Sequence, residues 1–143
     1  MATFQTEHFN VHDIFHNCTS DEILNALDDF TIYHNLQFAL HHLELLRTFV
    51  DIPFIVNSWY RDEPHNKRVG GVPNSQHMEG LAIDFRVKRK VELISNVKFI
   101  LYRPNLSKLF YIDQFIIYDT FFHISFSQEP RCQIIDKRKN KKS

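Results

Sequence analysis

The chain of 143 residues has only three glycines, and Gly70, Gly71 and Gly80 all fall within one stretch of eleven residues. Glycine enters left-handed backbone geometry without strain and lets main chain pass close to another group. The tightest turns of this chain are therefore concentrated in one place, which is either a surface loop or a shaped loop that delivers side chains to a site. The neighbours favour delivery. In Ser75-Gln76-His77-Met78-Glu79-Gly80-Leu81-Ala82-Ile83-Asp84, a histidine and an aspartate stand seven residues apart. One continuous helix would separate them by roughly 10 Å and one strand by more than about 20 Å. A zinc ion holds nitrogen and oxygen ligands at about 2 Å. The chain must reverse for the two to meet, and Gly80 stands where that turn is needed.

Periodicity on either side of this loop indicates an α+β domain. Thr19-Ser20-Asp21-Glu22 reads as a helix start with Ile23, Leu24 and Leu27 behind it. Leu36, Leu40, Leu43 and Val50 predict a longer helix from about Tyr33 to Phe49, with Pro53 after its end. Phe54 to Asn57 suits a buried strand. Residues 61 to 80 read as loop, and Leu81 to Val87 as a strand that places Ala82, Asp84 and Arg86 on one face and Leu81, Ile83, Phe85 and Val87 on the other. Val91, Ile94, Val97 and Leu101 mark a helix stopped before Pro104. Phe115 to Tyr118 and Phe121 to Phe126 read as two strands joined by a turn at Asp119-Thr120. The expected architecture is a single domain over residues 1–130, a small and mainly antiparallel sheet with flanking helices. Residues 131–143 are expected to form a frayed basic tail.

Composition excludes several classes. Hydrophobic residues make up 43% and charged residues 24%, which rules out a wholly disordered chain. There are 17 basic and 17 acidic side chains, but Lys137, Arg138, Lys139, Lys141 and Lys142 lie together at the end, so the body is acidic on balance. No nucleic-acid partner is expected for such a body. No apolar run is long enough for a membrane span. The N-terminus lacks a basic stretch followed by an apolar one, so no signal peptide is visible and synthesis in the cytoplasm is expected. Cys18 and Cys132 are read as free thiols rather than a pair, and the chain as a monomer.

The second strand repeats the pattern of the first. His123 and Ser125 share one face of Phe121-Phe122-His123-Ile124-Ser125-Phe126, while Phe122, Ile124 and Phe126 take the other. If the two strands pair, Asp84 and His123 project from one face and His77 closes over them. Two imidazoles and a carboxylate with an open fourth position fit a catalytic zinc site better than a structural one. A lone histidine on an apolar strand is usually a core residue, so spacing alone is moderately specific.

At these residues the chain resembles a known family. Ser-x-His-x-x-Gly-x-Ala-x-Asp, matched by Ser75, His77, Gly80, Ala82 and Asp84, resembles the zinc D-alanyl-D-alanine carboxypeptidases and their peptidoglycan-endopeptidase relatives. Asn57-Ser58-Trp59-Tyr60-Arg61 is similar to that family's Ser-Gly-Tyr-Arg segment, with Trp59 replacing glycine. Val69 to His77 resembles a small phage- and bacteroidete-type branch, and Phe121-Phe122-His123 resembles the strand of the third ligand. The resemblance runs from about Phe9 to Phe126. It implies a Hedgehog/DD-peptidase type of fold, a Zn²⁺ cofactor held by His77, Asp84 and His123, and hydrolysis of peptide bonds in peptidoglycan by a zinc-activated water.

The same resemblance suggests roles for the neighbours. Arg61 would neutralise the developing oxyanion or hold a substrate carboxylate; the alternative is a salt bridge with Asp62 or Glu63. Ser75 and Gln76 would contact substrate or set the loop, and Tyr60 and Trp59 would touch substrate. Many relatives carry a glutamate three residues before the last ligand, where this chain has Thr120. Asp119 is the expected replacement base, or else an ordinary turn residue, with Tyr118, Asp113 and Glu79 as poorer substitutes. Among the remaining histidines, His8, His12 and His16 are four apart but lack a zinc-peptidase glutamate, His41 and His42 do not share a helix face, and His65 is expected near the cleft without ligating. The expected function is a zinc metallopeptidase acting on peptidoglycan peptides, with a phage lysis enzyme as one setting and action on the wall after release or by a separate export route. The alternative is a zinc-bearing binding module without turnover.

Overall fold

A computed structural model describes residues 4–139. Its first half is helical, and the helices begin where short polar side chains can cap them. Asn10 and Asp13 form a reciprocal capping box on α1 (Val11–Ile14), and Thr19 and Glu22 form another on α2 (Ser20–Asp28). Asp29 caps α3 (Phe30–Val50), which buries Leu36, Ala39, Leu40, Leu43 and Leu46 along one side. That stripe matches the expected period, although the helix starts three residues earlier than Tyr33.

Five strands follow in the order β1-β2-β4-β3-β5 across one sheet: β1 (Ile55–Ser58), β2 (Ala82–Arg86), β3 (Ile112–Ile117), β4 (Phe122–Phe126) and β5 (Gln133–Asp136). All neighbours run antiparallel except β3 and β5. Ile83, Phe85, Phe115, Ile117, Phe122, Ile124 and Phe126 belong to the main core with the stripes of α3 and of α5 (Lys90–Leu101). Alternation sends Asp84, His123, Gln114 and Ile116 to the opposite face, where all four line a cleft.

Two expectations are corrected, and a third is extended. Residues 61 to 80 are not all loop, because Asp62 caps α4 (Glu63–Arg68), with Pro64 in its first turn, and Gln76–Glu79 form a 3₁₀ turn capped by Ser75. The helix expected to stop before Pro104 does so at Leu101, and Pro104 itself opens a further helix, α6 (Pro104–Phe110), where its missing N–H is no loss. The C-terminal segment is not frayed over its described length. Gln133–Asp136 adds β5 to the edge of the sheet, pairing Gln133 with Gln114 and Asp136 with Ile117. Among the described residues, no helix is long and apolar enough to cross a membrane. Cys18 and Cys132 are both free.

Candidate active site

The polar face of the sheet brings distant residues into one row. Ser58 on β1 is the cross-strand partner of Asp84 on β2, Asp84 of His123 on β4, and His123 of Ile116 on β3. His77 reaches the row from the 3₁₀ turn. Gly80 closes that turn at φ +80°, donating its N–H to the His77 carbonyl. A Cβ at Gly80 would sit 2.8 Å from Leu36 Cδ2, so glycine is needed for both the turn and its seat on α3. The donor atoms of His77, Asp84 and His123 all lie within 4.8 Å of one another.

The surroundings fix how these groups present themselves. His77 is buried, and its Nδ1–H donates to the Trp59 carbonyl at 2.7 Å. Burial pulls the His77 imidazole below its ordinary pKa, against the opposing pull of the Asp84 charge, so the ring is neutral near pH 7. Its Nε2 then carries a lone pair that faces Asp84 Oδ1 at 3.3 Å. Two acceptors pointed at each other repel unless a cation stands between them, so this donor set fits a metal ion. His123 Nδ1 approaches the same Oδ1 at 2.9 Å. Burial by itself would raise the Asp84 pKa, but the His123 ring and its neighbours prevail and hold the carboxyl well below the usual range. Asp84 is thus an anion, as a ligand must be.

Arg61 is bound in three directions. Its Nε donates to Ser58 Oγ at 3.0 Å, one terminal nitrogen to Asn66 Oδ1 at 3.2 Å, and the other to Asp84 Oδ2 at 3.2 Å. Its ion-pair partner is therefore Asp84, not Asp62 or Glu63. Asn66 is held in turn by the Val72 carbonyl, and a Cβ at Gly71 would overlap its side chain. Gly71 thus serves Arg61 at one remove.

An open cleft of about 590 Å³ lies over the row, lined among others by Arg61, Ser75, Gln76 and Tyr118. Ser75 Oγ accepts the His77 N–H at 3.1 Å, which sets the turn. Gln76 donates to Asp113 Oδ2 at 3.1 Å. Several expected residues stand elsewhere. Tyr60 is 4% exposed, packs edge-on against Phe15 and does not line the cleft. Trp59 is fully buried and donates its indole N–H to the Gly80 carbonyl. Asp119 is exposed on the β3–β4 turn, where its carboxylate accepts the Lys139 N–H at 3.1 Å, outside the cleft lining. His65, on α4, is buried against Glu22 at 2.9 Å and does not line the cleft. His8 pairs with Glu44, while His12 and His16 line a separate surface hollow. Sequence reasoning missed Arg131 and Lys137 as cleft residues; the basic run was a signal for Lys137 alone, and nothing in it announced a fifth strand.

The family model for peptidase M15 matches residues 7–125, most of the chain. The chain belongs to the peptidase M15 family. The M15 match contains the glycine loop and all three candidate ligands, and the mostly antiparallel sheet with flanking helices agrees with such a domain. It ends within β4, so β5 of this M15 peptidase lies beyond it. No curated protein sequence matches the chain.

Proposed function

We propose that the chain is a zinc-dependent peptidase whose metal is held by His77, Asp84 and His123, and that it hydrolyses bonds in the peptide part of peptidoglycan. The opposed lone pairs of His77 Nε2 and Asp84 Oδ1 carry the metal assignment. Membership of a peptidase family supports the reaction class, and the likeness of residues 57–61 and 69–84 to the D-alanyl-D-alanine carboxypeptidases supports the substrate. Zinc, when bound, supplies a Lewis acid and a water acidified towards neutrality.

The chain's own residues would divide the remaining work. The Trp59 carbonyl fixes the His77 tautomer, so that Nε2 is the ligating atom. Arg61 occupies the outer oxygen of Asp84 and leaves Oδ1 turned towards both imidazoles. Its role is thus to orient the ligand, in place of taking the oxyanion. Tyr118 lines the cleft, and burial, with the Asp84 charge adding to it, raises its pKa, so the phenol stays protonated and donates a hydrogen bond to substrate oxygen.

One observation favours a second reading, a zinc-bearing module that binds wall peptides without turnover: among the described residues, Asp84 is the only carboxylate that lines the cleft, and a general base must reach the proton it takes. The two readings separate on one experiment. Purified chain is incubated with cell-wall peptides, with and without chelator, beside His77→Ala. Release of new amino groups that stops with chelator and with the variant supports the peptidase. One zinc per chain with no release under any condition supports the module, and absence of tightly held zinc overturns both.

A further inference from the structure

A second group of ligand-type side chains lies apart from the cleft. Among the described residues, two clusters set three histidine, cysteine or carboxylate donors within 4.8 Å of one another: His77, Asp84 and His123, and Cys18, Glu22 and His65. None of the second three lines the cleft. Cys18 stands in the connection between α1 and α2, Glu22 in the first turn of α2 and His65 on α4, so three separate segments converge.

One ring nitrogen of His65, Nδ1, faces Glu22 Oε2 at 2.9 Å and Cys18 Sγ at 4.0 Å. Tetrahedral ligands of zinc, with bonds of about 2.0–2.3 Å, stand roughly 3.3–3.8 Å from one another, and the two separations straddle that range. The shorter repeats the contact of His123 Nδ1 with Asp84 Oδ1. Glu22 Oε2 gives one acceptor position to the Asp62 N–H at 3.1 Å and turns the other to His65, while Oε1 stays on the Thr19 N–H at 3.0 Å. The carboxylate can therefore ligate and keep its cap on α2. A cysteine of purely structural use packs as a small apolar group; this one faces a buried carboxylate and a buried imidazole. Cys18 is itself half-buried, which leaves a path for an ion from its side.

Thiol, imidazole and carboxylate form a zinc-type donor set, too soft for calcium or magnesium. Burial and the Glu22 charge keep the Cys18 thiol protonated near pH 7. An entering cation must displace that proton to solvent, so the site fills only with added metal.

We infer that Cys18, Glu22 and His65 form a second metal site, for a thiophilic divalent cation such as Zn²⁺, separate from the candidate active site. Its position gives it a bracing role. Cys18 Sγ lies 3.3 Å from the Tyr60 carbonyl and Glu22 holds the Asp62 N–H, so the cluster meets the chain on both sides of Arg61. A cation that joins α2 to α4 there stiffens the segment from which Arg61 reaches Asp84.

The test titrates Cd²⁺ into the full chain after chelator treatment. Cadmium bound to a thiolate absorbs in the ultraviolet, and the His77 cluster contains no sulfur, so the band reports the second site alone. The parent and Cys132→Ser should show a saturable band. Cys18→Ser should show none, and His65→Gln should bind about tenfold or more weakly. Should His65→Gln unfold, Cys18→Ser, close in size and checked by circular dichroism, still decides. Added metal should also raise the urea midpoint of His77→Ala, but not that of the same chain carrying Cys18→Ser as well. No band in the parent, a band that survives Cys18→Ser or vanishes with Cys132→Ser, equal affinity in a folded His65→Gln, or a midpoint that metal leaves unmoved overturns the proposal. A band without peptide release keeps this site and removes the peptidase; release without a band does the reverse.

Discussion

The guanidinium of Arg61 meets the Oδ2 of Asp84 at 3.2 Å and leaves Oδ1 to the imidazoles of His77 and His123. Removing the clamp should loosen the carboxylate without removing any ligand. Arg61→Lys keeps the charge but loses the forked donors. Zinc affinity, read by competition with a coloured chelator, is expected to fall about 10- to 100-fold while the circular dichroism spectrum is unchanged. Equal affinity in the two proteins would show that Arg61 does not orient the ligand.

Gly80 should be intolerant of a side chain. Its φ of +80° and the 2.8 Å approach of a Cβ to Leu36 both oppose Gly80→Ala. The variant should lose about 1–3 kcal/mol in urea unfolding. Gly70→Ala, at φ +74° but with open space around the new Cβ, should lose less. A reversed order of the two would deny the contact with α3 its importance.

The Asp113 anchor should give stability a defined pH dependence. Burial by itself would raise its pKa, but the bonds from Arg131 and Gln76 outweigh this and the folded value is depressed. A depressed carboxylate contributes stability that is fully present above its unfolded pKa, about 3.9, and is lost as pH falls through the lower folded value. Asp113→Asn should therefore be less stable than the parent at neutral pH, with the gap closing below about pH 4. Denaturant midpoints across pH 2–7 provide the measurement, and a gap independent of pH counts against the assignment.

Cys18 should be slow to react. Its Sγ lies 3.3 Å from the Tyr60 carbonyl and 4.0 Å from His65 Nδ1, and burial, with the charge of Glu22 adding to it, pushes the thiol up to about 12. The thiolate is the nucleophile. At pH 8, alkylation at Cys18 in the folded chain should run on the order of a thousandfold slower than in denaturant. Mass spectrometry of the Cys18 peptide reads the two rates, and comparable rates would mean the thiol is not so held.

Much of this arrangement was legible in the sequence because it depends on local pattern. Alternation in Ala82–Arg86 and Phe122–Phe126 placed Asp84 and His123 on polar faces, and the stripe from Leu36 to Val50 marked α3. The short helix α4 was signalled by Asp62 and Pro64 but has too few apolar residues for a period to emerge. Tyr60 and Trp59 sit beside Arg61 in sequence, yet their bulk drives them into the core while the charged Arg61 turns to the cleft.

By itself the sequence determined the turn that brings His77 back towards Asp84 and the alternation that sends Asp84 and His123 to one face, since each of these is written within a few neighbouring residues. Only the tertiary structure decided that Arg61 clamps Asp84, that His65 pairs with Glu22 away from the cleft, and that Arg131 and Lys137, on either side of a fifth strand, line the cleft. Those contacts join residues far apart along the chain, and which partner a charged side chain finds depends on how the strands are ordered in the sheet, an order that no local periodicity encodes.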